Sequence, residues 1–284
     1  MSRNIINLGL LAIVVILATI VIWEPGQQTD ITTKLSSLSD KDINRIHIQR
    51  DGLQDVQLEK SGDHWNMLTP YSIPADENRI KALLALVNTR SYTRFSAEDR
   101  KLSDYGLESS LAQVKFNDSL FQLGKLEHIS KRRYISTNSD IHLITDLFYH
   151  QLRTSAAQFV STQLFSPEQR ITRLNMTDSQ YEQKHDGSWL MSPENKSISA
   201  DQINSFIENW QRLRATRVSL ASDATSTERI HLVVTSGKEM LFEIVRNEDE
   251  LIFIRRDLGL QYHIPSQLAE TLFTVPTADA LQKF

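Results

Sequence analysis

Cysteine is absent from all 284 positions. Disulfides, a thiolate nucleophile and thiolate-ligated zinc or iron–sulfur sites are therefore excluded. Glycine is scarce, with nine residues, and none forms a Gly-x-Gly-x-x-Gly, Walker or Gly-x-Ser-x-Gly pattern. The sequence thus offers neither a glycine-rich phosphate loop nor a nucleophile elbow, and the chain is not expected to be an ATPase. The eight histidines never recur as His-x-x-x-His, the spacing that puts two metal ligands on one helical face. Nor is there an excess of positive charge: 31 Lys and Arg stand against 35 Asp and Glu, which argues against nucleic acid as a partner. The densest basic run is Lys131-Arg132-Arg133. It reads as a solvated turn or strand end, the alternative being contact with an acidic partner. Acidic pairs such as Asp146 with Glu168, or Glu98 with Asp99, have no sequence signal that sets them across a substrate. The expectation is a non-enzymatic protein with no metal and no cofactor.

Ile5 to Trp23 is an apolar run of 19 residues without a charge, interrupted only by Asn7, Gly9 and Thr19. As a helix it covers roughly 28 Å, about the hydrocarbon thickness of a bilayer. Trp23 stands where an interfacial aromatic is expected, and Glu24-Pro25-Gly26 stops the helix. A cleaved signal peptide is the rival reading. It needs a shorter apolar core and small residues before the cut, and Val21-Ile22-Trp23-Glu24 supplies neither. Arg3 precedes the run while Glu24, Asp30 and Lys34 come after it, a mainly acidic exit side, so residues 1–4 are expected in the cytoplasm and the remainder outside. Residues 24–37, polar and rich in Thr and Ser, read as a tether.

Beyond the tether the chain repeats itself. Trp65 and Trp189 lie 124 apart in similar apolar strands, and Ala75-Asp76 recurs as Ala200-Asp201. The helical face Ile80, Leu83, Leu84, Val87 matches Ile203, Phe206, Ile207, Trp210 at a constant offset of 123. Thr93-Arg94 recurs as Thr216-Arg217 at the same offset, and the segment His142 to Leu152 matches Tyr262 to Leu272 at 120. Alternating apolar residues predict a short meander at the start of each copy. An amphipathic helix comes next, over about 76–89 and 200–213, with Ser199 and Gln202 forming a capping box in the second. Four more strands and a short closing helix complete each copy. The predicted fold class is α+β: two tandem related units of mostly antiparallel strands, each with one amphipathic and one short closing helix, preceded by one transmembrane helix at 5–23. The first unit is placed at 38–157, the second at 158–276, and a C-terminal tail at 277–284. Whether the units share one continuous sheet stays open.

Several stretches resemble the bacterial domain-of-unknown-function family 4340. They are Ile43-Asn-Arg-Ile-His-Ile48, Trp65-Asn-Met-Leu-Thr-Pro70, Pro74-Ala-Asp-Glu77 before an apolar helix, and Leu102-Ser-Asp-Tyr-Gly-Leu107. The resemblance covers roughly residues 30–280. Members of that family often accompany ABC-transporter components of the gliding-motility type. The resemblance therefore implies an accessory or scaffolding subunit with a permease-type integral-membrane partner, at the bacterial inner membrane with its folded part in the periplasm. It transfers no catalytic residues. Tyr105-Gly106-Leu107 has no counterpart in the second unit, where Ser219 to Thr227 stands instead. Gly106 is expected to turn with φ > 0 while Tyr105 and Leu107 pack, a binding role being the alternative. Trp65 and Trp189 are expected to be paired core residues, the alternative being ligand-stacking aromatics. A periplasmic binding module for a cell-envelope polymer or lipid is the second functional reading; a groove between the units lined by aromatic and polar groups would favour it.

Overall fold

The computed structural model describes residues 9, 11–16, 19, 33–166, 168–226 and 228–276. Most of the expected anchor, most of the tether and the whole C-terminal tail lie outside the described residues. Residues 11–16 are helical, with Leu11, Ile13, Val14, Val15 and Ile16 exposed. Among the described residues no helix is long and apolar enough to cross a membrane. The end of the expected tether belongs to the fold: Thr33–Lys34 (β1) pairs with Arg90–Ser91 (β6), and Leu35 is buried. The backbone of Thr89, just before β6, accepts from the Leu35 amide at 2.9 Å, which is why the polar composition misled.

The chain is α+β, mostly antiparallel, with few helices. The first sheet is built from Arg45–Arg50 (β2), Val56–Ser61 (β3), His64–Thr69 (β4), Ile73–Pro74 (β5), Thr93–Ser96 (β7), Ala112–Phe116 (β8), Ser119–Leu126 (β9), Arg132–Thr137 (β10) and Asp140–Thr145 (β11). Its order is β5-β4-β3-β2-β8-β9-β10-β11-β7. The second is built from Ile171–Asn175 (β12), Gln180–Gln183 (β13), Trp189–Ser192 (β14), Arg217–Leu220 (β15), Glu228–Val234 (β16), Glu239–Arg246 (β17), Glu250–Arg255 (β18) and Leu260–Pro265 (β19). Its order is β14-β13-β12-β16-β17-β18-β19-β15. Leaving aside β5, the two orders correspond strand for strand. In each, a three-strand meander joins a four-strand meander, and the strand after the helix closes the far edge. The sheets are separate rather than continuous.

The helices are Glu77–Leu84 (α1) and Leu147–Leu152 (α2) in the first unit, and Ala200–Gln211 (α3) and Ala269–Phe273 (α4) in the second. Asp76 caps α1 by accepting from the Arg79 amide at 2.9 Å. Ser199 and Gln202 form the full reciprocal capping box on α3. Helix α1 is shorter than its apolar pattern suggests, because Ala85–Asn88 tightens into a 3-10 turn that buries Leu86 and Val87. The apolar face of α3 buries Ile203, Phe206, Ile207 and Trp210, and the Trp210 indole donates to the carbonyl of Leu272 beside α4. Period-two burial, as in Ile46 and Ile48 of β2, turns one face of each sheet toward its helices. One contiguous apolar cluster runs through both units.

Candidate binding cleft

The two sheets are joined through the segment between α2 and β12, and two clefts open beside it. Ala156–Phe159 forms a 3-10 turn capped by Ser155. The chain then pairs with the first unit: the Asp76 amide donates to the Phe159 carbonyl at 2.8 Å, Ala75 bridges Val160, and the Ser161 amide donates to the Pro74 carbonyl at 2.9 Å. Immediately afterwards it pairs with the second unit, through Ala215 onto Thr162 at 2.8 Å and the bridge of Gln163 with Arg214. The expected boundary between residues 157 and 158 thus falls inside a segment that both units hold. Gln211 of α3 fixes its far end, accepting from the Ile171 amide at 2.9 Å and donating to the Gln169 carbonyl at 2.8 Å.

Two clefts flank this connection, of about 830 and 570 Å³, and share Gln163, Ser166 and Arg214 as their common ridge. The larger is walled by Trp189, Phe165, α3 and the arginines 170, 212 and 214. Arg212 also reaches Glu208 one helical turn back, at 3.1 Å. The smaller cleft is acidic, with Asp76, Glu77 and Glu168 around His64. The His64 ring lies 3.7 Å from Glu77 and 3.9 Å from Glu168. No group of three or more potential ligands is placed to hold a metal ion among the described residues.

The two tryptophans sit beside this connection, one in each cleft, and differ in burial. Trp65 is 4% exposed and belongs to the core; its amide donates to Glu77 at 2.8 Å and its carbonyl accepts from Ala75 at 2.9 Å. Trp189 is only half-buried and forms a wall of the larger cleft. Trp65 thus lies inside the core cluster, while Trp189 packs against it from the cleft side. The residues after β4 return as β5 and are sealed by the connection, whereas β14 has no such added strand and forms a sheet edge.

Tyr105-Gly106-Leu107 lies away from the clefts, on the outer face of the first sheet. Leu102–Tyr105 is a 3-10 turn ended by Gly106 at φ +67°. Leu107 is buried, and Tyr105 packs edge-on to Tyr134 at 5.0 Å and against Phe95 at 5.5 Å. The backbone passes so close to β9 that a Cβ on Gly124 would lie 2.2 Å from the Tyr105 carbonyl oxygen. In the second sheet the segment after β15 is held differently: Ser222 donates its amide to Gln261, and Arg256 donates to the carbonyls of Ser222 and Ala224.

Sequence reading missed one polar cluster. Ser219 Oγ lies 2.9 Å from His263 Nε2, and both Glu250 oxygens lie 3.0 Å from His263 Nδ1. These distances match a serine–histidine–acid relay. The surroundings do not. Arg217 Nη1 at 3.0 Å and Gln261 Nε2 at 3.2 Å also point at His263 Nε2, so N–H donors compete for the lone pair a base would use. His263 is 3% exposed and lines neither of the two clefts beside the connection. The cluster is a network tying β15, β18 and β19 together. Its members come from three strands, so no local motif announces it. Asp146 and Glu168 are likewise apart in role: Asp146 pairs with the buried Arg133, while Glu168 faces His64.

No curated protein matches the chain. A family model does match, over residues 65–233, which runs from Trp65 in β4 to Val233 in β16 and includes the connection and most of both cleft walls. That span is more than half of the sequence, and the chain belongs to the family described as Domain of unknown function (DUF4340).

Proposed function

We propose that this chain is a non-catalytic accessory or scaffolding subunit, held by residues 5–23 in the bacterial inner membrane with its folded part in the periplasm, and working in an ABC-transporter-type complex. One observation carries the reading: the second sheet repeats the strand order of the first, and a single connection is hydrogen-bonded to both. We take the two units as products of an internal duplication. Their matching orders and the sequence offsets of 120 to 125 support this. Such a body presents wide, rigid surfaces, and it spends its buried polar groups on cross-strand networks rather than in a cleft. The apolar run without a charge supports the anchor. The partner is a permease-type integral-membrane protein.

The larger cleft favours a second reading, a periplasmic module that binds an anionic cell-envelope polymer or lipid. Its half-exposed Trp189, Phe165 and three arginines combine an apolar platform with positive charge. Photo-crosslinking in intact cells separates the two. Photoreactive residues at exposed Leu190 and Leu220 should yield adducts with an integral-membrane protein. Adducts only with envelope glycan or lipid, concentrated at a probe in place of Gln163, would favour the second reading and contradict the first.

A further inference from the structure

Among the described residues outside the apolar run, the two most exposed large aliphatic side chains are Ile129, at 94%, and Leu147, at 68%. Single exposed apolar residues are ordinary. These two, however, stand at the same end of the first sheet. Ile129 tips the β9–β10 hairpin, and Leu147 comes just after Thr145, which pairs with Arg132 at the foot of that hairpin. The tip is a built loop. The Glu127 carboxylate accepts from the amides of Ile129 at 2.7 Å and Ser130 at 2.6 Å, and from the Ser130 hydroxyl at 2.5 Å. Ile129 is thereby presented to the outside by a fixed frame.

Cations stand at the same end of the sheet. Arg132 stacks over Tyr92 at 3.5 Å, and Arg90 lies 4.6 Å from the same ring. Lys34 in β1 pairs with Arg90, and Lys131 is exposed beside Ile129. This is also where the fold begins after the apolar run. Only residues 24–32 separate Trp23 from β1, a reach of roughly 35 Å at full stretch. The matching hairpin of the second sheet, β17–β18, carries Asn247-Glu248-Asp249-Glu250, acidic and without an apolar tip. The basic, apolar tip belongs to the unit next to the anchor alone.

We infer that this end of the first sheet rests on the bilayer, with Ile129 and Leu147 entering the headgroup region and Lys34, Arg90, Lys131 and Arg132 facing the phosphates of anionic phospholipids. The contact rests on the reading of residues 5–23 as an anchor, and it sets the orientation that a tether alone leaves free. The far unit and both clefts are then held away from the lipid, open to a partner.

The chain has no cysteine, so a single introduced thiol can be labelled cleanly. The full chain carrying Ile129→Cys, or Glu248→Cys on the matching hairpin, is labelled with an environment-sensitive fluorophore. It is reconstituted into vesicles of phosphatidylcholine with phosphatidylglycerol that carry a lipid-attached quencher. The label at 129 should be quenched several-fold more than the label at 248. Its quenching should fall when phosphatidylglycerol is omitted, and in the double variant Lys131→Glu with Arg132→Glu. Equal quenching at 129 and 248, or no dependence on the anionic lipid, overturns the proposal. Alkaline carbonate extraction reads the anchor separately. Release of the chain with label 129 still quenched would sink the anchor reading and keep the surface contact; retention of the chain with label 129 in water would do the reverse.

Discussion

Trp65 and Trp189 occupy corresponding ends of β4 and β14, yet Trp65 is sealed in the core while Trp189 is a half-exposed wall of the larger cleft. The difference lies in the added strand β5, which covers β4 and has no counterpart beside β14. Burial separates the two energetically: Trp65→Ala should cost about 3–5 kcal/mol, and Trp189→Ala less than about 2 kcal/mol. Urea unfolding of the full chain in detergent micelles, monitored by far-UV circular dichroism, measures both. Equal losses would contradict the assignment of Trp189 to the cleft.

The close approach of Tyr105-Gly106-Leu107 to β9 predicts intolerance at two glycines that are distant in sequence. Gly106→Ala forces a side chain at φ +67° and a Cβ 2.8 Å from the Lys125 amide nitrogen. The strained conformation alone costs about 1–2 kcal/mol. Gly124→Ala meets the Tyr105 carbonyl at 2.2 Å, and the loop must lift. Each variant should speed amide exchange across residues 102–107, and the double variant should lose less than the sum of the two, because both displace one contact. Strict additivity would mean that the contact is not shared.

Much of the fold was legible because burial obeys period-two and helical patterns in both sheets. The edge strands β7 and β15 were not, being short and polar and existing only through pairing with β11 and β19. The cleft was not legible either. The two tryptophans have the same local sequence character, and only the added strand β5 and the connection that seals it distinguish them. Arg132 and Arg133 are adjacent in a basic run, yet one stacks on Tyr92 at the surface and the other is buried against Asp146. Strand alternation, not composition, separates them.

Burial holds the His142 imidazole below its ordinary range, with Ser91 Oγ 2.9 Å from Nδ1. The folded chain therefore prefers the neutral ring, while the unfolded chain takes up a proton near pH ~6.5. Stability from this site is complete above that pH and is lost as the pH falls toward the lower folded value. The unfolding midpoint of the parent should drop more between about pH 7.5 and pH 5.5 than that of His142→Gln. Identical pH profiles would refute the claim.

Glu127 is held down to about 2 by the Ser130 hydroxyl and the amides of Ile129 and Ser130. Its contribution is present above the ordinary carboxylate range, near ~4.3, and disappears as the pH falls toward about 2. Glu127→Gln should loosen the tip at neutral pH, seen as faster exchange at the amides of Ile129 and Ser130. Unchanged exchange would mean that the carboxylate does not organise the hairpin.

The Ser219–His263–Glu250 cluster should behave as structure. Ser219→Ala should cost about 0.5–1.5 kcal/mol, the net value of one hydrogen bond. His263→Ala should cost more, about 2–4 kcal/mol, because Glu250 and Arg217 lose a buried partner. A fluorophosphonate probe should leave Ser219 unmodified, and stoichiometric labelling there would reopen a hydrolase reading.

We propose that the chain works as an anchored subunit of a membrane complex. The most direct test is purification of the tagged full chain from native membranes in mild detergent, with quantitative mass spectrometry of the proteins that accompany it. A permease-type membrane protein and an ATPase should accompany the chain in near-stoichiometric amounts; recovery of the chain alone, from membranes or from the soluble fraction, would contradict the proposal.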